Sequence, residues 1–138
     1  MHLNYDCIRD VLLNLEELLQ IKYDNGSFSF SIVNIEHLYE SMPQGYSIED
    51  TLYSVLNLNE AGYINASLDY NDGKLTDCLI TGITYDGNEF LNKIRPEKVW
   101  TKIKKTVNSV GSVTLPVISE IATSVLTSFF KAKLGLSE

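Results

Sequence analysis

Between Phe28 and Asp72 the chain carries no lysine or arginine. Phosphate contacts made by cations supply most non-specific affinity for nucleic acid, so this stretch offers little to a phosphate backbone. Cysteine is scarce as well. Cys7 and Cys78 are the two in the chain and form no CxxC or Cys/His spacing with His2 or His37. They read as two reduced core thiols, and neither a zinc site nor a disulfide framework is expected. No apolar run is clean enough to span a bilayer. The most apolar segment, Val113 to Phe130, contains Pro116, Glu120 and several Ser or Thr residues. The first ten residues hold Asp6, Arg9 and Asp10 and no apolar core of a signal peptide, so a cytoplasmic protein without membrane contact is expected. Nucleophile-elbow, triad-like and metal-ligand patterns are missing, and Gly82–Gly87 suits a strand-to-helix junction rather than a phosphate loop. The expectation is a non-enzyme without cofactor, metal or small-molecule ligand.

What is present is the composition of an ordinary globular protein. The 138 residues are 44% hydrophobic and 21% charged, enough to bury a real core. The net charge of −7 is unevenly placed. Residues 1–94 hold fifteen acids against four bases, a net −11, whereas residues 95–138 hold seven bases against three acids, a net +4. An acidic body joined to a mildly basic extension argues against a surface that binds phosphate throughout.

The first helix is expected from Asn4 or Asp6, with Ile8, Val11, Leu12, Leu15, Leu18 and Leu19 forming one stripe. Asp24-Asn25-Gly26 is a turn signal. Ser27 to Val33 alternates Phe28, Phe30 and Ile32 with serines and predicts a short strand with one buried face. Asn34 caps a second helix through Ile35, Leu38, Tyr39 and Met42, closed by Pro43-Gln44-Gly45. Ser47 begins a third, with Asp50 where a capping box prefers Glu or Gln. Its apolar stripe is Ile48, Leu52, Val55, Leu56 and Leu58, which leaves Glu49, Asp50, Tyr53, Ser54 and Asn57 as its exposed positions. Gly62 is placed to end it. Tyr63–Leu68 and Cys78–Thr84 predict two strands around a turn at Asp72-Gly73, and Thr84 or Asp86 starts a fourth helix holding Phe90, Leu91 and Ile94.

Helix, strand, helix, helix, strand, strand, helix is the order of a winged helix: a helix-turn-helix with a small antiparallel wing sheet, of the α+β class. Pro96 divides this expected domain, residues 1–95, from a helical extension over 96–138. In the extension Lys98–Ser109 predicts one helix, and Gly111-Ser112 breaks it. Thr114 starts another, whose apolar residues fall in pairs at Val117/Ile118, Ile121/Ala122, Val125/Leu126 and Phe129/Phe130. That stripe either closes on the protein's own core or forms a homodimer seam, with Val125, Phe129 and Phe130 in the contact.

Two segments carry a resemblance. Tyr46-Ser47, Val55, Leu58 and Ala61-Gly62-Tyr63-Ile64 resemble the recognition helix and start of the wing in bacterial ArsR-like and MarR-like regulators. Ile83-Thr84-Tyr85-Asp86-Gly87 with Phe90-Leu91 resembles the junction that follows the wing. Over nearly the whole chain, Leu3–Glu17, Tyr46–Ile64, Ile83–Arg95 and Lys98–Ala122 are similar to an uncharacterised family of small proteins of bacteriophages and low-GC Gram-positive bacteria. The resemblance implies a phage or mobile-element origin and a winged helix, and it brings no catalytic residues.

Two partners remain open. DNA is the default for the fold. Of the third helix's exposed residues only Asn57 is a familiar base reader, and Arg95, Lys98, Lys102 and Lys105 would supply the phosphate contacts. The alternative is an unidentified protein with a basic surface, met by Glu49, Asp50 and Tyr53. The lysine-bearing helix also has a bland reading, as a solvated face or one that docks on the acidic body.

Overall fold

The computed structural model describes residues 2–135. The chain is α+β. Its elements are α1 (Tyr5–Leu18), β1 (Ile21–Asp24), β2 (Ser27–Phe30), β3 (Val33–Asn34), α2 (Ile35–Ser41), α3 (Ile48–Glu60), β4 (Ile64–Asn71), β5 (Lys74–Ile83), α4 (Tyr85–Ile94), α5 (Glu97–Val110) and α6 (Leu115–Lys133). They fall into two compact units, one over residues 3–88 and one from residue 89 onward, so the division lies inside α4. Pro96 stands at the N-cap of α5.

In the first unit the helix starts are written in short polar side chains. Asn4 Oδ1 accepts the Cys7 N–H at 3.1 Å, and Asn34 Oδ1 accepts the His37 N–H at 2.8 Å. Ser47 and Asp50 form a reciprocal capping box in which Asp stands in for the longer Glu. Gly62, at φ +81°, takes the left-handed conformation just past α3. Each cap satisfies backbone donors that a helix leaves open at its first turn. The core gathers Ile8, Val11, Leu12 and Leu15 of α1, Val33, Ile35 and Leu38 around β3 and α2, Val55 and Leu58 of α3, and Ile64 and Ile80 of the sheet.

The main sheet has the order β3-β5-β4, antiparallel throughout. β4 and β5 form a long hairpin closed by Asp72 and Gly73, both at positive φ, as a two-residue type I′ turn requires. Asn59 Oδ1 accepts the Ala66 N–H at 3.0 Å, where the β4–β5 register shifts, and so ties the end of α3 to the sheet. Thr84 joins β5 to α4. Its hydroxyl donates to the Gly62 carbonyl at 2.6 Å and accepts the Gly87 N–H at 3.0 Å, which starts the helix at the expected residue. Gly87 lies so close to the Tyr63 carbonyl that a Cβ there would collide with it.

Two expectations are corrected. Ser27–Val33 is not one half-buried strand against the main sheet. Only Val33 and Asn34 pair with β5, opposite Ile80 and Leu79. α1 ends at Leu18, and Asn25-Gly26, both at positive φ, turn the chain so that β1 folds onto β2 as a separate two-stranded sheet. Phe28, Phe30 and Ile32, expected on a buried face, are each at least 60% exposed. The second correction concerns α3. Ser54, expected at the surface, is buried with Thr51, Val55 and Leu58, whereas Ile48, expected in the core, is exposed. The helix turns its small hydroxyl residues toward α1, where Cys7 hydrogen-bonds to Ser54 and Thr51. Small side chains permit close approach there, and their hydroxyls find partners, so burial costs little.

In the second unit α5 and α6 pack on each other. Val99, Trp100, Ile103 and Val107 face Leu115, Ile118, Ala122 and Val125 in a core closed to solvent. Thr114 stands at the N-cap of α6 with Pro116 in its first turn. Among the described residues no helix is long and apolar enough to cross a membrane.

Candidate functional site

Helix α3 and strand β5 enclose a groove of about 220 Å³. Ile35, Ile48, Leu52 and Leu75 give it apolar walls, and Glu36, Glu49 and Asp77 stand along it with Thr76 and Cys78. None of its lining residues is a lysine or arginine. Strand alternation and helical period bring these groups together: Leu75 and Asp77 are two apart on β5, and Ile48, Glu49 and Leu52 share one side of α3. Cys78 reports the local field. Burial pushes its thiol up to about 11, and the Asp77 and Glu36 carboxylates push in the same direction. A thiol held protonated in this way is a poor nucleophile at neutral pH. Burial likewise raises the Cys7 thiol, against hydrogen bonds from Ser54 and Thr51 that lower it.

The structure divides the residues singled out by sequence. Glu49 is exposed and lines the groove. Asp50 is turned to the helix start, where its carboxylate accepts the Ser47 N–H. Tyr53 and Asn57 are half-buried, four and eight residues beyond Glu49 along α3, and neither lines the groove. The Asn57 amide donates back to the Tyr53 carbonyl at 2.8 Å, which uses one of its two N–H donors. Glu36 and Asp77 went unnoticed in the sequence, because they are far apart in the chain and meet only through the fold.

On α5, Lys98, Lys102 and Lys105 do share one exposed side. With Thr101, Thr106 and Ser109 they line a shallow depression of about 530 Å³. Arg95 stands apart from that depression, half-buried, its guanidinium donating to Asn92 Oδ1 at 3.2 Å. Lys104 lies over the Trp100 ring, 5.9 Å from its centroid. The paired stripe of α6 is split. Val125 is buried within the unit, whereas Phe129 and Phe130 are 37% and 62% exposed.

The first unit thus carries an acidic, apolar-walled groove between a helix and a hairpin, and both of its thiols are pushed toward the protonated form. The family model described as "Hypothetical protein (DUF2513)" matches residues 2–114, and the chain belongs to that family. A protein of Haemophilus influenzae described as "Uncharacterized protein" is 27% identical over 128 residues, covering 92% of this chain and 97% of the relative. No solved structure matches.

Proposed function

We propose that residues 3–88 form a winged-helix module that works by binding and not by catalysis, and that its partner is a protein presenting a basic, partly apolar segment. In this reading α2 and α3 are the helix-turn-helix and β4–β5 is the wing. The groove between recognition helix and wing, which would face DNA in a conventional regulator, instead offers apolar walls and three carboxylates. That acidic groove is the observation that carries the reading. Carboxylates beside phosphates repel, while the same groups beside lysines on an amphipathic segment attract and steer. The resemblance to bacteriophage proteins fits such a role, with a host nucleic-acid-binding or defence protein as the basic partner.

A labelled amphipathic peptide with lysines on one face and leucines on the other is the probe, read by fluorescence anisotropy. Saturable binding that weakens by about tenfold or more in Glu49→Lys plus Asp77→Lys supports the proposal, since each reversed charge turns attraction into repulsion. Binding indifferent to both substitutions overturns it.

A second reading rests on one observation, the alignment of Lys98, Lys102 and Lys105 on the open side of α5. Such a row fits a phosphate backbone, and the protein would then be a DNA-binding regulator that holds DNA through its extension. A labelled random duplex titrated at low and moderate salt decides this. Binding that falls steeply with salt and vanishes in Lys102→Glu plus Lys105→Glu favours the second reading. No binding at low salt removes it.

A further inference from the structure

We infer that strand β1 is a self-association edge, which pairs antiparallel with β1 of a second copy about an axis through Tyr23. The β1–β2 hairpin is a sheet of two strands, and neither strand pairs with any other among the described residues. Isolated two-stranded sheets are marginal in water, and four strands are far better. The outer edge of β1 also lacks the usual protection against pairing: it has no proline, no bulge and one lysine.

The ladder fixes which backbone groups are free. Asp24 pairs with Ser27 across the two-residue turn, and the Ser31 N–H donates to the Gln20 carbonyl at 3.0 Å. In an antiparallel ladder hydrogen-bonded and non-hydrogen-bonded pairs alternate. Gln20, Lys22 and Asp24 therefore point their backbone groups at β2, and Ile21 and Tyr23 point theirs outward. A second β1 must pair through these.

Charge then selects the register. Pairing centred on Tyr23 sets Lys22 opposite the second copy's Asp24, and Asp24 opposite its Lys22. A shift of one residue either way sets Lys22 on Lys22 or Asp24 on Asp24. Within the hairpin the same two charges face only Ser29 and Ser27. The aromatic residues agree with this register. Tyr23 lies opposite Phe28, their ring centroids 4.9 Å apart, and both are 67% exposed. Pairing through Tyr23 would extend the contact into a row of four rings, Phe28–Tyr23–Tyr23–Phe28, on one face of a four-stranded sheet. Cross-strand aromatic and opposite-charge pairs are the units that stabilise such a sheet.

Sedimentation equilibrium of the full chain at submillimolar concentration tests this, with Lys22→Asp, Asp24→Lys, the double swap, and Phe129→Ser plus Phe130→Ser as variants. The wild type is expected to dimerise, and each single charge variant to raise the dissociation constant by about tenfold. The double swap is expected to restore it, and an equimolar mixture of the two single variants to form the heterodimer. A monomeric wild type overturns the inference. So does a dimer that ignores the charge variants, or one that only the phenylalanine variant dissolves, which would place the seam on α6.

Discussion

The two hairpins of the first unit are built from the same local instructions and meet opposite fates. Each is closed by a two-residue turn with both residues at positive φ, Asn25-Gly26 in one and Asp72-Gly73 in the other. Each alternates larger apolar residues with smaller or polar ones. The β4–β5 hairpin is extended at its edge by β3 and packed by helices on one face, and Ile64, Cys78 and Ile80 are buried. In β1–β2 every residue from Ile21 to Phe30 is exposed. Turn chemistry and alternation specify that a hairpin forms, but only neighbours in the fold decide whether its apolar face is covered. Ile21, Tyr23, Phe28 and Phe30 share that uncovered face, which is the one our proposal gives to a second copy.

The contrast should be widest in the response to truncation. Ile80→Ala in the covered hairpin is expected to cost about 2–5 kcal/mol of unfolding free energy. Phe30→Ser in the uncovered one is expected to stay within about 0.5 kcal/mol when measured in dilute protein. Urea denaturation of both variants checks this, and equal losses would erase the distinction. A smaller effect follows from Cys78 on the covered strand. Its folded thiol titrates near 11, above the ordinary value of 9.0. The unfolded chain therefore loses its proton first. The stabilisation is complete below about pH 9 and is lost as pH rises toward 11, by about 3 kcal/mol at most. Comparing the pH dependence of unfolding in wild type and Cys78→Ala isolates that contribution; identical slopes would show the thiol is not held protonated. Smallest is the turn effect. Gly73→Ala forces a side chain into a left-handed position and should cost about 1 kcal/mol of global stability. Gly26→Ala should instead open its hairpin locally, visible as faster amide exchange at Lys22 and Asp24 with little change in the global midpoint.

Much of the fold was legible in the sequence where a short polar residue precedes an apolar period. Asn4, Asn34, Ser47 and Thr84 each start the helix expected of them. Gly62 ends α3, and Asp72-Gly73 turns the long hairpin. Strand β1 was missed because Leu18, Leu19 and Ile21 continue the apolar character of α1, so no change of period announces the helix end. The face of α3 was misjudged because Thr51 and Ser54 are polar by type, although small hydroxyl residues pack well between helices once their hydroxyls are bonded. The groove was legible only in part. The missing cations and Glu49 pointed to an acidic surface, yet Glu36 and Asp77 reach it from elements that sequence alone does not bring together. Asp50 completes the capping box that its position suggested, and Asn57 is half-buried with one amide N–H bonded to the Tyr53 carbonyl.

We propose that the groove between α3 and β5, and not a nucleic-acid surface, is where this protein meets its partner. Backbone amide shifts of isotope-labelled protein, followed while the lysine–leucine amphipathic peptide is added, test it most directly. Saturable shifts are expected at Glu36, Ile48, Glu49, Leu52, Leu75 and Asp77, and they should be lost in Glu49→Lys plus Asp77→Lys. A groove that stays silent under the peptide, while duplex DNA moves Lys98, Lys102 and Lys105, would contradict it.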